Sequence, residues 1–110
     1  MAKYALLFSY TPESWASLIK NPTDRSAAAE QVAEAVGATL ESYYWMFGEY
    51  DGLAIVDGPD SISVGAVSIA VASTGALSQA VTIRLFDADD QEAMLERAKT
   101  ALASYTPPTG

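Results

Sequence analysis

The sequence predicts a single α+β domain in which strands and helices follow the order β-α-β-β-α-β, with one more helix at the end. Three observations carry this. Short apolar runs with strand-like alternation are interleaved with helix-length segments, cap and stop residues mark the junctions, and 110 residues make one ordinary domain but not two.

Lys3 to Tyr10 reads as the first strand, with Tyr4, Leu6, Phe8 and Tyr10 on one side and Ala5, Leu7 and Ser9 on the other. Thr11-Pro12 places an N-cap before a proline at the first helical position and opens a short helix carrying Trp15, Leu18 and Ile19. Asn21-Pro22 stops that helix and is expected to cap another, in which Ala29, Val32, Ala33 and Val36 recur at helical spacing before Gly37. The first crossover is therefore a broken helix. Ala38 to Phe47 is a second strand dense in aromatics, with Tyr43 and Trp45 on one face and Tyr44 and Met46 on the other. Gly48-Glu49-Tyr50-Asp51-Gly52 turns it into a short third strand, Leu53 to Val56, so the two form a hairpin. Asp57-Gly58-Pro59-Asp60 leads into a helix from Ser61 to Thr74, Gly75 ends it, and Gln79 to Phe86 is the fourth strand. Asp87 caps a last helix from Ala88 to about Ser104, with Met94, Leu95, Ala98, Ala101 and Leu102 expected inside. Residues 1–105 form the domain and 106–110 a frayed tail.

This order is the split-βαβ, or ferredoxin-like, sandwich: one antiparallel sheet with both crossover helices on the same face. The opposite face is left open, yet these strands carry bulky apolar residues at both parities. Such a face needs a cover, and the usual one is a second copy, sheet against sheet. Arg84, if it points to that interface, needs a carboxylate such as Glu41 or Asp57; otherwise it reaches solvent at an edge. The helix from Ser61 holds no charge at all. Its ridge of Ile62, Ala66 and Ile69 and its ridge of Val64, Val67 and Val71 suggest one contact within the domain and a second with another protein.

Composition excludes several function classes. Fourteen acidic against six basic side chains give a net charge of −8, which disfavours nucleic acid and anionic membranes as partners. No Cys and no His means no disulfide, no thiol nucleophile, no imidazole base and neither of the two commonest metal ligands, so neither a metal nor a cofactor is expected. The uncharged stretch from Ser61 to Ile83 is too rich in Ser, Thr, Gln and Gly to span a bilayer, and the N-terminus lacks the pattern of a signal peptide. A soluble, cytoplasmic protein is the expectation.

Three segments carry a family resemblance. Ser9-Tyr10-Thr11-Pro12-Glu13 with Trp15, then Leu18-Ile19-Lys20-Asn21-Pro22 with Asp24-Arg25, then Phe47-Gly48-Glu49-Tyr50-Asp51, resemble the GYD domain family of small bacterial and archaeal proteins over about residues 3 to 100. The Gly, Tyr and Asp of the family name map to Gly48, Tyr50 and Asp51. The resemblance implies a ferredoxin-like protomer of the dimeric α/β-barrel kind and no established activity.

Each of these segments also has a structural explanation. Gly48 and Gly52 bracket a turn in which Asp51 can accept backbone N–H groups, and Tyr50 then packs as a lid. Asn21 as N-cap with Asp24 at the third helical position explains the second segment as capping, although Lys20 and Arg25 lie where a helix start could hold an anion. Asp87, Asp89 and Asp90 suit the dipole of a first helical turn without any ion. The candidate ligand-binding residues are Tyr10, Trp15, Lys20, Tyr43 and Tyr50, converging at one mouth of the sheet, with Lys20 as the cation of choice. The competing arrangement has these rings filling the core and leaving no cavity. The functional expectation is a non-enzymatic homo-oligomer, dimer or higher, that binds a small molecule or a protein partner. The alternative is a cofactor-independent, isomerase- or oxygenase-like enzyme acting on a small apolar oxygenated compound.

Overall fold

The computed structural model describes residues 1–109. Its elements are β1 (Ala2–Tyr10), α1 (Pro12–Lys20), α2 (Arg25–Ala35), β2 (Thr39–Trp45), β3 (Gly52–Gly58), α3 (Ser61–Ala72), β4 (Leu77–Leu85) and α4 (Ala88–Ser104). One four-stranded sheet in the order β2-β3-β1-β4 is antiparallel throughout. This is the ferredoxin-like α+β sandwich with a broken first helix and an added C-terminal one. Of the tail expected at 106–110, residue 110 lies outside the described residues.

The caps explain where the helices begin. Thr11 accepts the Ser14 backbone N–H for α1, Asp60 accepts that of Ser63 for α3, and Asp87 and Asp90 form a reciprocal capping box at α4. The start of α2 differs from expectation. Its N-cap is Asp24, which accepts the Ser26 backbone N–H at 3.0 Å, whereas Asn21 closes α1. Pro22 and Thr23, in neither helix, separate the two caps, because proline holds the residue before it out of helical geometry. Gly37 and Gly75, both at φ +78°, provide the left-handed exits of α2 and α3.

Strand pairing sorts the side chains onto two faces. Opposite one another toward the helices stand Tyr4, Val56 and Arg84, then Leu6, Ala54 and Thr82, then Phe8, Gly52 and Ala80. Tyr4 and Val56 pack with Val64 of α3 into the best-buried part of the core, and the Tyr4 hydroxyl shares a 2.7 Å hydrogen bond with Ser61. The third strand runs on to Gly58, two residues past the expected end, because Asp57 and Gly58 still pair with Lys3 and Ala2. The second ends at Trp45, and Phe47 is fully exposed.

The outer face carries Leu7, Leu53, Ile55, Val81, Ile83 and Leu85, flanked by Tyr44. None of these large side chains is fully buried. At one end Lys3 bridges Glu41 at 2.5 Å and Asp57 at 3.2 Å. These are the carboxylates considered for Arg84, which stands on the helix side instead, its guanidinium over the rings of Tyr4 and Phe86. At the other end Gln79 donates to Ser9 and to the Glu49 carbonyl.

In α3 the two ridges part as their spacing requires: Val64 and Val67 are buried, while Ile62 and Ile69 are 84% and 73% exposed. The last helix departs from expectation. Met94, Leu95 and Leu102, expected inside, are exposed, and α4 buries no residue. Its amphipathic stripe is present, but nothing among the described residues covers it.

Candidate ligand cleft

Tyr10 ends β1, and strand alternation keeps its ring on the helix side with Phe8, while the register shift beside it skips Ser78 of β4. Tyr43 and Trp45 of β2 face the same way, and α1 lays Trp15 against Tyr10 and Trp45. Five rings meet there, with neighbouring centroids between 5.5 Å (Tyr10 and Trp15) and 6.2 Å (Phe8 and Trp45). The edge-to-face and tilted pairs add to the stabilisation from burial.

Asp51 locks this cluster. Its Oδ2 accepts the Tyr10 backbone N–H at 2.9 Å and the Trp15 indole N–H at 3.2 Å, while its own N–H donates to the Phe8 carbonyl at 2.9 Å. The turn motif thus reaches beyond its hairpin and fastens β1, β3 and α1 together. Gly48 at φ +115° is a position where side chains are strained.

Beside the rings the helices stand off the sheet. A cleft of about 360 Å³ opens between the sheet and helices α2 and α3, floored by Leu6, Phe8 and Leu40 and walled by Ala28, Ala29 and Val32 of α2 and Val67 and Val71 of α3. The small side chains of α2 make the room, since alanine cannot span from helix axis to sheet. The Tyr10 and Tyr43 side chains, Ser68, Thr74 and Thr82 supply hydroxyls among the lining residues. Burial, and after it the neighbouring Tyr10, pushes the Tyr43 phenol far above its ordinary value of 10.0, so it stays protonated and can donate a hydrogen bond.

The expected binding residues are placed as follows. Tyr10 and Tyr43 line the cleft, and Trp15 packs on Tyr10 outside the lining. Lys20 is exposed at the last turn of α1, and Tyr50 is half-buried in the turn; neither lines the cleft. The cation that does is Arg25, at the first position of α2. Its signal in the sequence was adjacency to the Asp24 cap, which starts α2 there and so sets where the guanidinium emerges.

A family match decides what kind of domain this is, as the GYD domain aligns with residues 4–95. The chain belongs to the GYD domain family. No curated protein matches it. Among solved structures, FFRP-DM1 is similar with a TM-score of 0.52 and 13% identity, over 78% of this chain and all of that one. The hypothetical protein PHS023 from Pyrococcus horikoshii is similar with a TM-score of 0.50 and 11% identity, over 79% and 92% of the two chains. At such identities the likeness concerns the fold of this GYD domain alone. Among the described residues no helix is long and apolar enough to cross a membrane.

Proposed function

We infer that this GYD domain is a homo-oligomeric binding module that holds an apolar small molecule in the cleft between its sheet and helices α2 and α3. The cleft carries the reading: its volume of about 360 Å³ falls within the range of small-molecule pockets, and its walls are apolar with a few polar groups among them. Binding is favoured over catalysis because the chain holds no His and no Cys, the commonest general base and the thiol nucleophile.

Oligomerisation rests on two uncovered surfaces, the outer sheet face and the stripe of α4. Covering side chains such as Ile83, 44% exposed, and Leu102, 72% exposed, gains about 1 kcal/mol or more each. A second copy that lays its sheet on this one, as in a dimeric α/β barrel, supplies that cover. Native mass spectrometry of the protein purified from its own organism tests both parts. The expected result is a dimer or larger oligomer retaining a small molecule. A bare monomer that no apolar compound stabilises against heat would overturn the reading.

A further inference from the structure

We propose that the ligand of the cleft is an amphipathic anion, an apolar body of about a dozen non-hydrogen atoms ending in one carboxylate-like head that Arg25 receives. The proposal rests on the cleft reading above and adds the charge and size of what enters. The charge follows from what lines the space. Among the described residues none of the fourteen Asp and Glu side chains belongs to the lining, and Arg25 is the one charged residue that does.

Arg25 is also available. Among the described residues it makes neither an ion pair nor a side-chain hydrogen bond, and it is half-buried. Its neighbour Asp24 is spent on Ser26, accepting its backbone N–H at 3.0 Å and its hydroxyl at 2.5 Å. The Tyr10 and Tyr43 side chains line the same cleft, where a phenol O–H can donate to the second oxygen of a carboxylate. Size follows from volume: about 360 Å³, at roughly 30 Å³ per small non-hydrogen group, accommodates about twelve. A medium-chain fatty acid such as decanoate has that size and charge.

The test compares decanoate, 1-decanol and decyltrimethylammonium on the full chain, by calorimetry and by the fluorescence of Trp15 and Trp45. Decanoate is expected to bind tightest, and Arg25→Gln to weaken it about tenfold or more while leaving 1-decanol unchanged. Arg25→Lys should recover part of the loss, and Ala29→Leu, which fills the cleft, should abolish binding of both. Equal affinity for decanoate and 1-decanol in the native chain, or tighter binding of the cation, overturns the anion assignment and leaves the cleft reading standing. If none of the three binds, the cleft reading falls with it. The native-chain comparison decides the matter even where a variant fails to fold.

Discussion

Asp51 accepts the indole N–H of Trp15 at 3.2 Å through the same carboxylate oxygen that takes the Tyr10 backbone N–H at 2.9 Å. One side chain of the turn therefore fixes both the end of β1 and the helix that covers it. Hydrogen bonds to a charged group contribute about 1.5 to 3 kcal/mol each, and these two share an acceptor. Asp51→Ala should cost about 2 kcal/mol in urea unfolding and alter the tryptophan emission. Asp51→Asn, which keeps one carbonyl oxygen, should cost less. A variant that melts like the parent while losing ligand affinity would instead make Asp51 part of the site.

Gly48 and Gly52 flank the same motif for different reasons, and substitution separates them. A Cβ on Gly52 would sit 2.3 Å from the Phe8 ring, whereas one on Gly48 meets nothing within 4 Å, its difficulty being φ +115°. Each alanine substitution should cost about 1 to 3 kcal/mol. Only Gly52→Ala should disturb the packed rings, seen as a changed near-UV circular dichroism spectrum.

The Asp24 cap carries a pH dependence. Hydrogen bonds from the Ser26 hydroxyl and then its backbone N–H hold the carboxyl below its ordinary value of 3.8. Because the folded value lies below the unfolded one, the contribution is complete above about pH 3.8 and is lost as pH falls through the folded value. Asp24→Asn should keep α2 capped yet flatten this part of the acid limb in thermal melts taken between pH 2 and 5. An unchanged acid limb would show that the cap is not formed.

Much of this architecture is legible in the sequence, and the exceptions share a physical cause. The alternation of Tyr43 and Trp45 against Tyr44 placed those rings on the correct faces, because strand period depends only on local geometry. Asn21 and Asp24 are both good N-caps, and choosing between them requires knowing where proline releases the chain, which also decides whether Lys20 or Arg25 meets the cleft. The cleft itself is a matter of missing volume. A run of alanines in α2 fits a helix packed tightly on the sheet as well as one standing away from it, and only tertiary placement tells them apart.

The open sheet face yields a prediction about assembly. Ile83 and Ile55 stand on either side of Ala5 on the outer face. A charge there is tolerable in a lone protomer but not between two apolar sheets. Ile83→Asp should therefore shift the protein to monomer in analytical ultracentrifugation at micromolar concentration, with the far-UV signal of the sheet retained. A wild-type protein that sediments as a monomer would contradict the paired-sheet arrangement.

The last helix makes the strongest demand on a partner. α4 has 17 residues, about 25 Å of helix, and all of its side chains but Asp90 are exposed. Met94, Leu95, Ala98, Ala101 and Leu102 nevertheless fall on one side, with Tyr105 continuing the line, and Glu92, Glu96 and Lys99 fall on the other. Most of a helix's stability in a protein comes from packing its amphipathic face, and the capping box of Asp87 and Asp90 does not replace that. Its stripe should therefore pack on a second copy, and its helicity should depend on association. Double substitution of Leu95 and Leu102 by Lys is expected to weaken the oligomer and to lower the helical circular dichroism signal, while Glu92→Lys on the opposite side should do neither. Dilution of the native protein through its dissociation range should reproduce the same loss of helical signal. If the double variant assembles like the parent and keeps its full helical signal, α4 stands free and the sheet face alone joins the subunits.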